Sequence, residues 1–128
     1  MTQEDKELIF KELCARLPYH VKCKIWIKDG TTEEGLLDLQ HNYGNVLQDA
    51  FYYNKIKDIK PYLFPPSSMT EEEKEEYCQL QQRAIYNSKG VVNEDVTKYI
   101  NWCYKKHLDI NNLIPMELAI DATNLNIY

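Results

Sequence analysis

The chain has 128 residues, of which 44% are apolar and 27% charged, with a formal net charge of -5 and four cysteines. That length supports one hydrophobic core, and the composition is that of a globular domain, which excludes disordered, collagen-like and coiled-coil classes. The negative balance argues against a non-specific grip on nucleic acid, which needs clustered Lys and Arg, although a local basic face is compatible with it.

In chain order, Thr2 and Asp5 have the spacing of a capping box, and Phe10, Leu13, Cys14 and Leu17 then recur at helical intervals. An amphipathic helix is expected over residues 3–16, stopped by Pro18, which disfavours helical backbone before it and cannot donate the next bond. From Val21 the period becomes two. Val21, Cys23, Ile25 and Ile27 face one way, and Lys22, Lys24, Trp26 and Lys28 the other, the pattern of a half-buried strand. Asp29-Gly30 marks a turn, residues 35–40 a second strand, and residues 42–45 another turn. Strands at 46–53 and 55–62 complete an expected three- or four-stranded antiparallel meander, of which a curled, SH3-like sheet is one version.

Proline and serine at 61–68 mark residues 63–69 as a linker. Thr70 and Glu73 form a second capping box that opens a helix from 71 to about 87. Gly90 stops it, and Asn93 caps a third helix with the stripe Val96, Tyr99, Ile100, Cys103 and His107. The helical part thus spans 70–107 and an irregular tail spans 108–128. The expected class is one α+β domain over 1–128: an N-terminal helix, the sheet region at 21–62, then two helices and the tail.

No apolar run approaches the ~20 residues that span a bilayer, and the opening MTQEDKELIF is acidic where a secretory leader is basic and then apolar. A cytoplasmic location and reduced thiols at Cys14, Cys23, Cys78 and Cys103 are expected.

Chemistry is sparse. The nearest metal-ligand set is His20-x2-Cys23 with Cys103-x3-His107, since two ligands four apart share a helical face. Cys23 and Cys103 both fall on apolar stripes, however, where free cysteine acts as a small hydrophobe, so no metal or cofactor is assigned. Asp38, Asp49 and Asp58 with Lys55 or Lys57 can be drawn as a carboxylate nuclease, a pattern any acidic domain permits. The isolated glycines form no phosphate-cradling loop and no nucleophile elbow. A non-catalytic protein is expected, with a small metal-dependent enzyme as an alternative.

Two surfaces suit binding. Lys22, Lys24, Trp26 and Lys28 share a strand face that, if open, is fit to meet an acidic protein or stack a base, whereas under a covering helix Trp26 is a core residue. The run Glu71, Glu72, Glu75 and Glu76 can imitate phosphates toward a nucleic-acid-binding partner, although acids also suit any helix's first turn.

Three stretches, 13–25 (LCARLPYHVKCKI), 59–77 (IKPYLFPPSSMTEEEKEEY) and 113–128 (LIPMELAIDATNLNIY), resemble a family of small uncharacterised proteins of Bacteroides-type bacteria and their phages and prophages. The resemblance implies a phage or mobile-element context and carries over no activity or site. In that context the expected function is binding of a host macromolecule, in its sharpest form as an inhibitor of a host defence nuclease (anti-CRISPR-like). A phage adaptor or assembly component that binds phage proteins or itself is the alternative.

Overall fold

A computed structural model describes residues 2–36, 56–86 and 94–128. It is an α+β fold in which helix α1 (Gln3–Arg16) precedes strands β1 (Lys22–Ile27), β2 (Thr32–Leu36) and β3 (Ile56–Leu63). Helices α2 (Glu71–Tyr86) and α3 (Glu94–Lys105) follow, and a short strand β4 (Ile120–Asp121) comes from the tail. The expected strand at 46–53, the turn at 42–45, Gly90 and the Asn93 cap lie outside the described residues.

Helix α1 starts as its sequence predicts. The Thr2 hydroxyl accepts the Asp5 N–H at 3.0 Å, and the Asp5 carboxylate accepts the Thr2 N–H at 3.2 Å, so two donors of the open first turn are satisfied reciprocally. Its buried stripe, however, is Ile9, Glu12, Leu13 and Arg16, one residue out of phase with the expected Phe10, Leu13, Cys14 and Leu17. Cys14 is exposed, while Phe10 and Leu17 pack at the rim of the core. The helix turns a charged pair inward where an all-apolar stripe was expected.

Among the described residues the sheet has the order β2-β1-β3-β4. Strand β1 pairs antiparallel with β2 and β3, and β4 runs parallel to β3. The β1–β2 hairpin closes through Gly30, whose φ of 94° is open to glycine at little cost, and through Asp29, whose carboxylate accepts the N–H and hydroxyl of Thr31. This tight turn makes β2 begin at Thr32, ahead of the expected residue 35. The inner face follows the alternation: Cys23 and Ile25 cluster with Ile9 and Leu13 of α1, Ile59 and Leu63 of β3, and Leu113, Leu118 and Ala119 of the tail. Each leucine and isoleucine among them contributes roughly 1.5–3 kcal/mol by leaving water.

Residues 63–69 begin inside β3 at the fully buried Leu63 and continue as a single 3-10 turn, Pro66–Ser68. Thr70 and Glu73 form the second capping box, at 3.0 and 3.1 Å. Helices α2 and α3 meet through Tyr77, which stacks obliquely on Tyr99 and Trp102 and shares a 3.0 Å hydroxyl bond with Tyr99. Helix α3 ends before His107, which takes a left-handed φ of 55°. Its N–H donates to Tyr104 O and the Leu108 N–H to Cys103 O, a Schellman closure. Cys103 and His107 therefore do not share a helical face as their spacing suggested.

The tail is irregular but packed. Both oxygens of buried Asp109 accept backbone N–H groups, from Leu113 at 2.8 Å and Ile114 at 2.9 Å. Just past β3, Phe64 makes a separate, isolated parallel bridge to Leu108. Among the described residues no helix is long and apolar enough to cross a membrane.

Candidate functional site

The outer face of the sheet carries every second residue of each strand. The register sets Lys24 opposite Glu34 of β2 on one side and Lys60 of β3 on the other, and Trp26 opposite Thr32 and Asp58. Trp26 is half-buried, and two ammonium groups lie over its indole, Lys24 Nζ at 5.4 Å and Lys60 Nζ at 5.6 Å from the ring centroid. Both are within the range in which the π-face attracts a cation. Two acids of the strands each accept one hydrogen bond: Glu34 Oε1 from the Tyr62 hydroxyl at 2.6 Å, and Asp58 Oδ1 from the Ile59 N–H at 2.9 Å. Burial, reinforced by Glu34, pushes the Tyr62 phenol up to about 12, so this hydroxyl stays a donor.

Beside Trp26 the tail builds a wall. Lys24, Trp26, Lys60 and Tyr62 form one side of an open groove of about 540 Å³, and Ile114, Glu117, Ala119, Ile120 and Leu125 form the other. The four lysine-face residues read from the sequence are therefore divided. Lys24 and Trp26 line the groove. Lys22 is drawn under the tail, where its Nζ donates to Ile127 O at 2.6 Å, and Lys28 sits exposed in the hairpin turn. Lys60 and Tyr62 joined the site unannounced; counting alternate residues back from Tyr62 puts Lys60 and Asp58 on the same face.

Glu71, Glu72, Glu75 and Glu76 are all exposed along the outer side of α2. Glu71 meets Lys74 at 3.4 Å, while Glu73 turns inward to Lys106 at 3.8 Å. A second cleft, of about 360 Å³, lies where Phe64, Met69 and Glu73 face Lys105, Lys106 and His107, with Tyr128 at its edge.

Tyr128 fastens the tail to the sheet. Its ring stacks on the His107 imidazole, with centroids 3.7 Å apart and planes 13° from parallel, and its hydroxyl accepts the Lys22 N–H at 2.7 Å and donates to Tyr62 O at 2.8 Å. The residues proposed as metal ligands stand differently. Among the described residues no group of three or more His, Cys, Asp or Glu is placed to hold a metal ion. His20 is exposed, Cys23 and Cys103 are buried, and the Arg16 guanidinium acts electrostatically on both thiols and on His107. Burial pushes Cys23 up to about 12 and Cys103 up to about 11, values that suit inert thiols.

No protein-family model, curated protein or solved structure matches the chain.

Proposed function

We propose that this chain is a non-catalytic binding protein whose working surface is the outer sheet face around Lys24, Trp26 and Lys60, and whose partner is another protein. The observation that carries this reading is the half-buried Trp26 beneath two ammonium groups, at the edge of a groove whose far wall is mostly apolar, with Glu117 its one charged residue. Aromatic and cationic anchors beside apolar surface are the usual makings of a protein interface. A nucleic-acid track would need a run of cations along the backbone path, whereas Lys22 is tied to the tail and the whole chain carries -5.

The resemblance of residues 13–25, 59–77 and 113–128 adds a context to the proposal. The partner is then a host protein in a bacterial cytoplasm, and inhibition of a host defence nuclease is the sharpest form of the idea. The exposed acids of α2 are the rival surface, and self-association or capture of phage proteins is the rival outcome.

Affinity capture from host lysate separates these readings when three baits are compared: the natural chain, Trp26→Ala with Lys60→Glu, and the fourfold Glu→Gln variant at 71, 72, 75 and 76. The partner is identified by mass spectrometry and the binding repeated with purified partner. The proposal expects a host protein that is retained by the α2 variant and lost by the sheet variant. The opposite pattern overturns it, and recovery of phage proteins alone favours the assembly role.

A further inference from the structure

The outer face holds a local conflict. Lys24 and Lys60 stand directly opposite each other on neighbouring antiparallel strands, a like-charge pairing that costs stability. The carboxylate nearest in register, Glu34, is engaged by the Tyr62 hydroxyl, and Asp58 is engaged by its neighbour's N–H. Trp26 holds the two ammonium groups over one indole. Glu117 of the opposite wall is the remaining carboxylate of the groove, and among the described residues neither lysine is in an ion pair with it, with Glu34 or with Asp58. Two cations kept together by an aromatic face and without an ion-pair partner are a receptor for one carboxylate. The adjoining wall sets the apolar side chains of Ile114, Ile120 and Leu125 beside Glu117.

We infer that the groove binds an acidic, aliphatic protein segment, one carboxylate bridging Lys24 and Lys60 while a neighbouring aliphatic side chain lies against Ile114, Ile120 and Leu125. This rests on the reading of the sheet face as the working surface and names its occupant. The two ammonium groups select a carboxylate at that one point, and Ile114, Ile120 and Leu125 select a peptide over a phosphate backbone, which has no aliphatic part to bury there.

The test uses the full chain with Trp102→Phe, which leaves Trp26 as the only indole. Its emission is followed while a short peptide alternating glutamate and leucine is added at low salt, then the same peptide with glutamine for glutamate, and then an oligothymidylate. The acidic peptide is expected to perturb Trp26 saturably, with a dissociation constant at least about tenfold lower than that of the glutamine peptide, and to weaken by at least about tenfold in Lys24→Gln or Lys60→Gln.

Lys60→Glu gives a second readout. It should remove the response while the thermal midpoint stays level or rises, because an opposed like-charge pair becomes an ion pair. A fall in midpoint with affinity retained overturns the inference and makes Lys60 merely structural. Equal response to the glutamine peptide, preference for the oligothymidylate, or no response to the acidic peptide also overturns it. Preference for another probe still leaves the face as a binding surface, and the capture experiment with the three baits decides that surface independently of the peptide.

Discussion

The guanidinium of Arg16 donates through Nε to Glu12 Oε1 at 2.7 Å inside the core, where the two side chains are 0% and 3% exposed. Nη2 also donates to Leu108 O at 2.6 Å, the group lies 4.8 Å from the centre of the Tyr104 ring, and Asn111 donates to the other oxygen of Glu12 at 2.7 Å. One ion pair thus joins α1 to α3 and the tail. Breaking a buried pair strands a charge and costs about 3–5 kcal/mol, whereas replacing both partners with apolar groups is often near neutral. Glu12→Ala should therefore lower the stability measured by urea unfolding by that amount, and Glu12→Leu with Arg16→Met should recover most of it. Among the described residues Arg16 Nη1 has no hydrogen-bond partner, which favours the apolar replacement.

The Tyr128 hydroxyl links β1 to β3, and the ring's contacts with His107 and Phe64 are independent of it. Tyr128→Phe keeps the ring and leaves the Lys22 N–H and Tyr62 carbonyl without that partner. The expected loss is about 1–3 kcal/mol. In hydrogen exchange, the Lys22 amide should lose protection more than amides in the middle of β1.

The His107 imidazole is held down to about 4, first by burial, then by Arg16 and His20. The unfolded chain takes up this proton near 6.5 and the folded chain only near 4, so stability falls as pH drops through that window and levels off below it. One unit is worth 1.36 kcal/mol at most, and partial exposure reduces this, leaving a loss on the order of 1–2 kcal/mol. Denaturation at pH 7 and pH 4.5 measures it. His107→Asn, chosen because asparagine tolerates the left-handed backbone, should show a smaller difference between the two pH values than the natural chain.

Much of this architecture is legible in the residues, and the failures have physical causes. Both capping boxes and the β1 alternation are local, so Thr2, Asp5, Thr70, Glu73 and the run from Val21 to Ile27 announce their elements. The phase of α1 is not legible because Glu12 and Arg16 count as surface residues in any hydrophobicity pattern, and only the tail reveals their partners. Strand β2 carries Thr32, Glu33 and Glu34, an edge sequence with little apolar signal, and is placed by the hairpin turn and its pairing with β1. Strand β4 is two residues long, parallel and far from β3 in sequence, which leaves no local periodicity to detect. At the site, Lys24 and Trp26 were visible, whereas Lys60 and the tail wall required knowledge of which strand lies beside β1.

The thiols give a direct reading of this packing. Cys14 and Cys78 are exposed, and Cys23 and Cys103 are buried. A disulfide-exchange reagent at pH 8 should therefore react promptly with Cys14 and Cys78 in the native chain, and with Cys23 and Cys103 only when denaturant is added. Rapid reaction of all four in the native state would contradict the inward placement of β1 and α3.

The central claim, that the outer sheet face is the binding surface, is tested most directly by amide and indole NMR shifts of the labelled chain on addition of its captured partner. The account predicts that the largest changes fall on the Trp26 indole N–H and on the amides of Lys24, Lys60 and Tyr62, with Glu71, Glu72, Glu75 and Glu76 little changed. Changes confined to α2, with Trp26 unmoved, would contradict it.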